Sequence, residues 1–347
     1  MSSTSNSSNR HLVLKCLLMA FGGLIFALLI RHYGTRETLR SLKAVWPAIP
    51  LMVMIEGFAK LANALGMRRA LTRDGRRTSF LEVLRLMIES EAVNYLIPSA
   101  SLGGNALLTR GLMRRGTLSD SIVAVATASS TQTIAQFLLV LAGSALALAA
   151  TPIPASLRPA VWGAMAVSVA TVCIFLLIMV KGVFVFLSSV LRRFRIGARF
   201  LRERERQFVD MDERLRKVLL TRPADIALSI LFYGCGWSVS AAELFVALSL
   251  MGVAFRWQQA LAIHALAVFI DGVVFFIPAK AGSQEGGKIL AFTAVGLTGS
   301  AGLIFGLLRR AREIIWALVG YASLALRVRE DGASIPPRPA LAPVSAS

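Results

Sequence analysis

Charged residues set inside long apolar runs are the first chemical signal in this chain. Asp271 interrupts the run 258–277, and Glu243 stands within 224–251. Arg309, Arg310, Arg312 and Glu313 lie inside 300–326, and Lys280, Glu285 and Lys288 follow Pro278. Burying a charge at a bilayer centre costs about 3 kcal/mol or more, so such groups pair with one another or serve a polar ligand. The chemistry open to this set is recognition of a charged group. Guanidinium forks bind phosphate through paired N–H donors, and Asp271 or Glu285 can take up a proton. Each residue also has a plainer reading. Arg309 and Glu313, one turn apart, can pair along their helix. Arg310 and Arg312 have no partner nearby in sequence and can instead snorkel to an interface.

Two glycine-rich breaks frame these charges. Tyr95-Leu96-Ile97-Pro98-Ser99-Ala100-Ser101-Leu102-Gly103-Gly104-Asn105 matches Phe275-Phe276-Ile277-Pro278-Ala279-Lys280-Ala281-Gly282-Ser283-Gln284-Glu285 at an offset of 180 residues, and Gly116 and Gly296 keep that offset. Proline ends or kinks a helix, and the freed backbone groups are tolerated in lipid only when buried in protein or lining a wet cavity. The half-helix N-termini that follow carry partial positive charge and can receive an anion. Gly103, Gly104, Gly282, Gly286 and Gly287 would let a ligand approach the backbone closely. Tight helix packing through small residues is the alternative. Paired interruptions in two halves of a membrane protein point to a site near the midplane. The second copy carries Lys280, Glu285 and Lys288, whereas the first is nearly uncharged until Arg110. The second is therefore expected to hold most of the polar chemistry.

The chain has 347 residues, of which 56% are hydrophobic, and a mean hydropathy of +0.66. Several runs reach the roughly 20 residues that cross a hydrocarbon core. The expected fold is an all-α polytopic transmembrane helix bundle. The net charge of +19 sits between apolar runs, where it sets topology and meets anionic headgroups; nucleic acid is not an expected partner. Cys16, Cys173 and Cys235 are far apart, without metal or disulfide spacing, and read as buried small apolar side chains. No metal and no cofactor is expected. Walker A, HExxH, GxSxG and dinucleotide fingerprints are all missing from the sequence.

Residues 1–10 are polar and read as disordered, as does the Pro/Ala-rich tail 328–347. Between them, residues 11–327 form one transmembrane domain. Its expected spans are 12–30 (read as a retained first span), 45–66, 118–149, 160–187, 224–251 and 300–326, with broken elements at 80–116 and 258–296. Glu56 and Lys60 can pair within the second span. Ser129, Gln132 and Gln136 share a face that could line a polar path or serve interhelical hydrogen bonds. Segment 188–222 holds eleven Lys/Arg against five Asp/Glu and reads as a cytoplasmic amphipathic helix at the membrane surface. The positive-inside rule puts 67–79, 110–116 and 188–222 in the cytoplasm and 150–160 outside. On that count the two Pro/Gly-broken elements enter from opposite faces, as re-entrant or fully spanning segments of an inverted repeat. The same count puts residues 31–43 outside, although they carry four Lys/Arg.

Asn94-Tyr95-Leu96-Ile97-Pro98 with Gly103-Gly104 and Arg110, Phe276-Ile277-Pro278 with Gly282 and Gln284-Glu285-Gly286-Gly287, and the run Leu308–Glu313 resemble the flippase-like family that includes the transmembrane domain of lysylphosphatidylglycerol synthases. The chain is most similar to the hopanoid-biosynthesis-associated HpnL-type membrane proteins. The resemblance covers roughly residues 10–327. It implies a multi-pass protein of the bacterial inner membrane that moves lipid, hopanoid included, between leaflets or membranes. The synthases of that group add an aminoacyltransferase domain after the membrane part. This chain ends about twenty residues after its last expected span, so that activity is not implied. Many relatives would carry a charge near the position of Asn105.

The expected substrate site is therefore Asn94, Pro98, Gly103, Gly104, Arg110, Asp271, Pro278, Lys280, Gly282, Gln284, Glu285, Arg309, Arg310 and Arg312, with no catalytic residue. Membrane lipids with anionic headgroups, or hopanoids, are the expected partners, and lipid-biosynthesis enzymes are further candidates. Two rival readings remain. One is a membrane-embedded enzyme using paired carboxylates. The other is an accessory subunit that gathers lipid-synthesis enzymes through segment 188–222.

Overall fold

The computed structural model describes residues 31–71, 78–96, 102–150, 158–193, 204–273 and 282–333, with single positions at 24, 27, 28 and 155. All regular structure among the described residues is helical, as the composition led us to expect. Pro98, Pro278, Lys280, Cys16 and Arg73, Arg76 and Arg77 lie outside the described residues, as do both tails and most of the expected span 12–30.

Helix α1 (Thr35–Val45) precedes α2 (Ala48–Ala70). Next come α3 (Phe80–Leu96) and α4 (Leu102–Leu112), then the long α5 (Leu118–Ala150). After α6 (Arg158–Lys181), α7 (Val183–Arg193) and α8 (Glu205–Thr221), the pattern recurs: α9 (Pro223–Leu250), α10 (Trp257–Val273), α11 (Ser283–Ala294) and the long α12 (Gly299–Ala333). By length and composition, α2, α9 and the Leu118–Leu146 part of α5 are apolar enough to cross a membrane.

Each broken element is a hairpin of two antiparallel half-helices. In the first, the Gly104 N–H donates to Asn94 Oδ1 at 2.8 Å, Gly111 packs on Leu86, and Arg115 lies 3.9 Å from Glu82. Residue numbers fall along α3 as they rise along α4, so α4 returns to the level where α3 began. In the second, Gly287 packs on Ile270, and Gln259 Nε2 donates to the Val295 carbonyl at 2.9 Å. Gly282, with φ of +72°, opens α11 in a conformation that favours glycine. Each broken element thus folds back on itself.

The helices that open the two sets, α2 and α9, also run antiparallel. Ser240 meets Glu56, Gly236 meets Asn63, and Gly66 meets Ser229 and Tyr233. Glycine at these crossings lets the backbones approach. Thr131 of α5 joins them: its hydroxyl is 2.9 Å from that of Ser229, which donates to the Gly66 carbonyl at 2.8 Å. The first helix of each hairpin leans on the long helix that follows the other hairpin, α3 on α12 and α10 on α5. At the first of these contacts, Tyr321 OH donates to the Ala92 carbonyl at 2.7 Å and Gly320 lies against Ile88 and Ala92. Glu89, fully buried, accepts from Arg85, Ser323 and Arg327.

Two expectations change here. The span expected to reach 187 ends at Lys181, and the segment 188–222 is not one helix. Gly182 turns the chain at φ +104°. Asp212 of α8 then accepts the N–H groups of Phe184 and Val185 at 2.9 and 2.8 Å, capping a separate α7. Cys173 and Cys235 are exposed rather than buried. They sit on the outer faces of α6 and α9, where in a bilayer a thiol needs no protein partner.

At Gly104 an added Cβ would meet Asn94 Nδ2, the Ser90 hydroxyl and the Ser90 carbonyl oxygen, a backbone atom that cannot swing away. Gly104→Ala should destabilise the protein by about 1–3 kcal/mol through overpacking, read as a lower thermal unfolding temperature in detergent. Gly163→Ala, at a position with open space around it, should leave that temperature unchanged or slightly raised.

Candidate functional site

Many of the buried charged side chains gather in one layer between two apolar cores. One core joins Ala48 and Met52 of α2 to Leu244 and Leu248 of α9 and to parts of α10, α11 and α12. The other joins Ala64 and Met67 of α2 to Tyr233 of α9 and to α3, α4 and α5. Glu56 and Lys60 lie between these two ends of α2, about 12–18 Å along a helix of about 34 Å.

Arg312 of α12 is the hub. Its Nη1 donates to Glu56 Oε2 of α2 at 2.8 Å and to Glu243 Oε2 of α9 at 2.6 Å. Its Nη2 is 3.6 Å from Glu313 Oε1. Glu313 also receives Arg309 Nε at 3.3 Å and Gln284 Nε2 of the second hairpin at 3.1 Å. On the other side of Glu56, Lys60 Nζ lies 3.2 Å from Glu56 Oε1 and 2.6 Å from Glu91 Oε2 of the first hairpin. The ammonium also lies 5.0 Å from the centre of the Trp316 ring, a cation–π distance.

Two further pairs extend the layer into the second hairpin. Arg310 reaches Glu285 Oε1 through Nε at 3.1 Å and Nη2 at 2.8 Å, and it hydrogen-bonds the Tyr95 side chain at the end of α3. Lys288 Nζ is 3.8 Å from Asp271 Oδ2 and donates to the Gln284 carbonyl at 3.2 Å. Arg310 therefore touches both hairpins. Among the described residues, buried atoms without a hydrogen-bond partner in this layer are Glu243 Oε1, Glu285 Oε2, Asp271 Oδ1 and Arg312 Nε. No group of His, Cys, Asp and Glu among the described residues could hold a metal ion.

Asp271, Gln284, Glu285, Arg309, Arg310 and Arg312, expected from sequence, thus share one connected layer. Gly104 and Asn94 are bound to each other instead. The amide expected to face a headgroup is already given to the Asn94 carbonyl oxygen. Gly103 stands beside it in the first turn of α4, Gly282 caps α11, and Arg110 is exposed in the last turn of α4. Glu56, Lys60, Glu91 and Glu313 were not among the expected site residues. The available signal was the Glu56–Lys60 pair in an otherwise apolar span, which reads as self-sufficient until Glu91 and Arg312 are seen to complete it. The residues Ser129, Gln132 and Gln136 do not enter the contacts of this layer given above; from the same stretch of α5, Thr131 serves an interhelical hydrogen bond.

The layer holds both signs of charge: carboxylates at Glu56, Glu91, Glu243, Asp271, Glu285 and Glu313, and cations at Lys60, Lys288, Arg309, Arg310 and Arg312. It is no simple anion trap. A phosphate would have to displace a carboxylate from a guanidinium, and Arg310, paired with Glu285, is the most exposed guanidinium of the layer.

Residues 12–320 match the family described as the lysylphosphatidylglycerol synthase TM region. No curated protein matches the chain.

Removing Arg312 would strand Glu243 in the interior and leave Glu56 with Lys60. Breaking a buried pair from one side costs about 3–5 kcal/mol, so Arg312→Ala should sharply lower the thermal stability of the purified protein. Adding Glu243→Gln to that variant should restore part of the loss, because the stranded charge is then gone.

Proposed function

We propose a lipid-translocating role for this chain, which belongs to the lysylphosphatidylglycerol synthase TM-region family. The observation that carries the reading is the charged layer between two apolar cores, built where two hairpins meet. A headgroup enters this layer by exchanging with an internal ion pair, Arg310–Glu285 first, while its tails stay in lipid. The outward face of α2 is suited to those tails, since Met54 and Phe58 are exposed there. The two sets of helices form an inverted repeat. The antiparallel α2 and α9 and the reciprocal packing of each hairpin on the other set's long helix support this. Rocking of one set against the other then exposes the layer to each face in turn.

The protein acts without covalent chemistry, in the inner membrane of a bacterium, on an anionic phospholipid or a hopanoid. A membrane-embedded lipid enzyme is less well supported. Glu56 and Glu243 converge on Arg312, and their proximity is accounted for by charge pairing.

Reconstitution in liposomes tests the reading. Wild type should speed leaflet exchange of a tail-labelled anionic phospholipid or a labelled hopanoid. Arg310→Ala and Glu285→Ala should each slow it by about tenfold or more, the equivalent of about 1.4 kcal/mol. Unchanged rates in both variants would remove the site assignment, and an inactive wild type with both lipids would remove translocation.

A further inference from the structure

At the end of the bundle where α2, α10 and α12 begin, the charge runs against the positive-inside rule. That end lies opposite Arg68 and Arg69, which stand in the last turn of α2, and the positive-inside count puts it outside. Among the described residues, its segments 31–47, 251–257 and 295–299 and the start of α6 carry six Lys/Arg against a single acid, Glu37. Orienting the chain is therefore not what these cations do. At the other end, Arg69, Arg214 and Arg222 are each paired with an aspartate.

Three of the cations form a row on α1. Arg36, Arg40 and Lys43 recur at intervals of four and three residues, so they share one face of the helix, and all three are exposed. Among the described residues, none of the three has an ion-pair or side-chain hydrogen-bond partner. Leu39 and Trp46, 52% and 64% exposed, flank the row on the same side. The opposite side is fastened to the protein: Thr38 and Val45 are buried, and Leu42 packs on the apolar core of Ala48 and Leu244. A row of cations beside a tryptophan and a leucine suits the headgroup level of a membrane, with the apolar rings and chains at the acyl boundary and the charges among phosphates. Tyr33 lies against Gly299 at the start of α12, and α1 packs on that helix. Arg310 stands about 16 Å from Gly299 along the helix axis.

We propose that α1 is a docking surface for anionic phospholipid headgroups, which Arg36, Arg40 and Lys43 hold at the membrane face where α12 begins. The row attracts headgroup phosphates, and Glu37, the one acid nearby, lies to its side. No carboxylate has to be displaced, in contrast to the charged layer, where every guanidinium is already paired. Headgroups gathered on α1 are the supply from which the layer draws. Docking on α1 is independent of translocation, whereas its use as a supply rests on that reading.

Phosphatidylcholine nanodiscs holding the full chain and a minor fraction of lipid brominated near the top of its tails provide the test. Bromine quenches tryptophan on contact, and the difference between wild type and Trp46→Phe isolates Trp46. Brominated phosphatidylglycerol should quench Trp46 at about a fivefold lower mole fraction than brominated phosphatidylcholine, or lower still, since one cation near an anionic surface accounts for about fivefold. The preference should vanish in Arg36→Gln/Arg40→Gln/Lys43→Gln, whose three positions are exposed, and should fade in about 1 M salt, where screening acts within about 3 Å. Arg36→Lys/Arg40→Lys, which keeps the charge, should retain it. Equal quenching of wild type by the two lipids would overturn the docking surface. A preference that survives in the triple variant would overturn its assignment to α1. In vesicles poor in phosphatidylglycerol, the triple variant should also slow leaflet exchange of labelled phosphatidylglycerol several-fold. Unchanged exchange would overturn the supply role and leave docking standing. A wild type that shows the preference but moves no lipid would remove translocation, and with it the supply role, and leave docking standing.

Discussion

One guanidinium, that of Arg312, ties together three helices that the chain brings from far apart. It lies within hydrogen-bond distance of Glu56 on α2 and Glu243 on α9, and α2 and α9 are a closely packed antiparallel pair. In a low-dielectric interior none of these three charges is tolerable alone. Their mutual satisfaction sets the depth at which α2, α9 and α12 align. The other charges of the layer are arranged around that fixed point: Lys60 and Glu91 on one side, Arg309, Glu313 and Gln284 on the other.

The two apolar cores follow from the same constraint. A charged layer cannot be buried next to hydrocarbon without loss, so the hydrophobic side chains of α2 and α9 separate into one cluster on each side of it. The half-helices of the hairpins need go no deeper than this layer, because their ends find polar partners there. Asn94 closes the start of α4, and Arg310 reaches both Glu285 and Tyr95.

The hairpins are alike in geometry and unlike in chemistry. The second brings Asp271, Gln284, Glu285 and Lys288 to the layer, as its sequence led us to expect. The first contributes Glu91 and uses its glycines for packing, with Gly104 and Gly111 pressed against Ser90, Asn94 and Leu86. Its grip on α12 is ionic, through Glu89, Arg85 and Arg327. At the equivalent contact of the second, Gly143 of α5 meets Ala265 and Leu261 of α10. A contact held by buried charge resists separation differently from one held by small apolar residues, so the two hairpins are not equivalent as moving parts.

Much of this was legible without coordinates. Hydropathy and Ile-Pro breaks are local properties. The helical class, the repeated broken elements and the costly charges at Asp271, Glu285, Arg309, Arg310, Arg312 and Glu313 were therefore all open to reading. Among the described residues, the helix limits fall near the expected ones, except at Gly182, where a contact with the distant Asp212 starts a new helix. Tertiary structure alone decided the pairing. Arg310 and Arg312 look unpartnered in sequence because their carboxylates lie on other helices, and Glu56–Lys60 looks complete because its other partners are equally remote. It also decided that each broken element folds back on itself. Proline and glycine say where a helix stops, but only the packing of α4 on α3 and of α11 on α10 says which way the chain then turns.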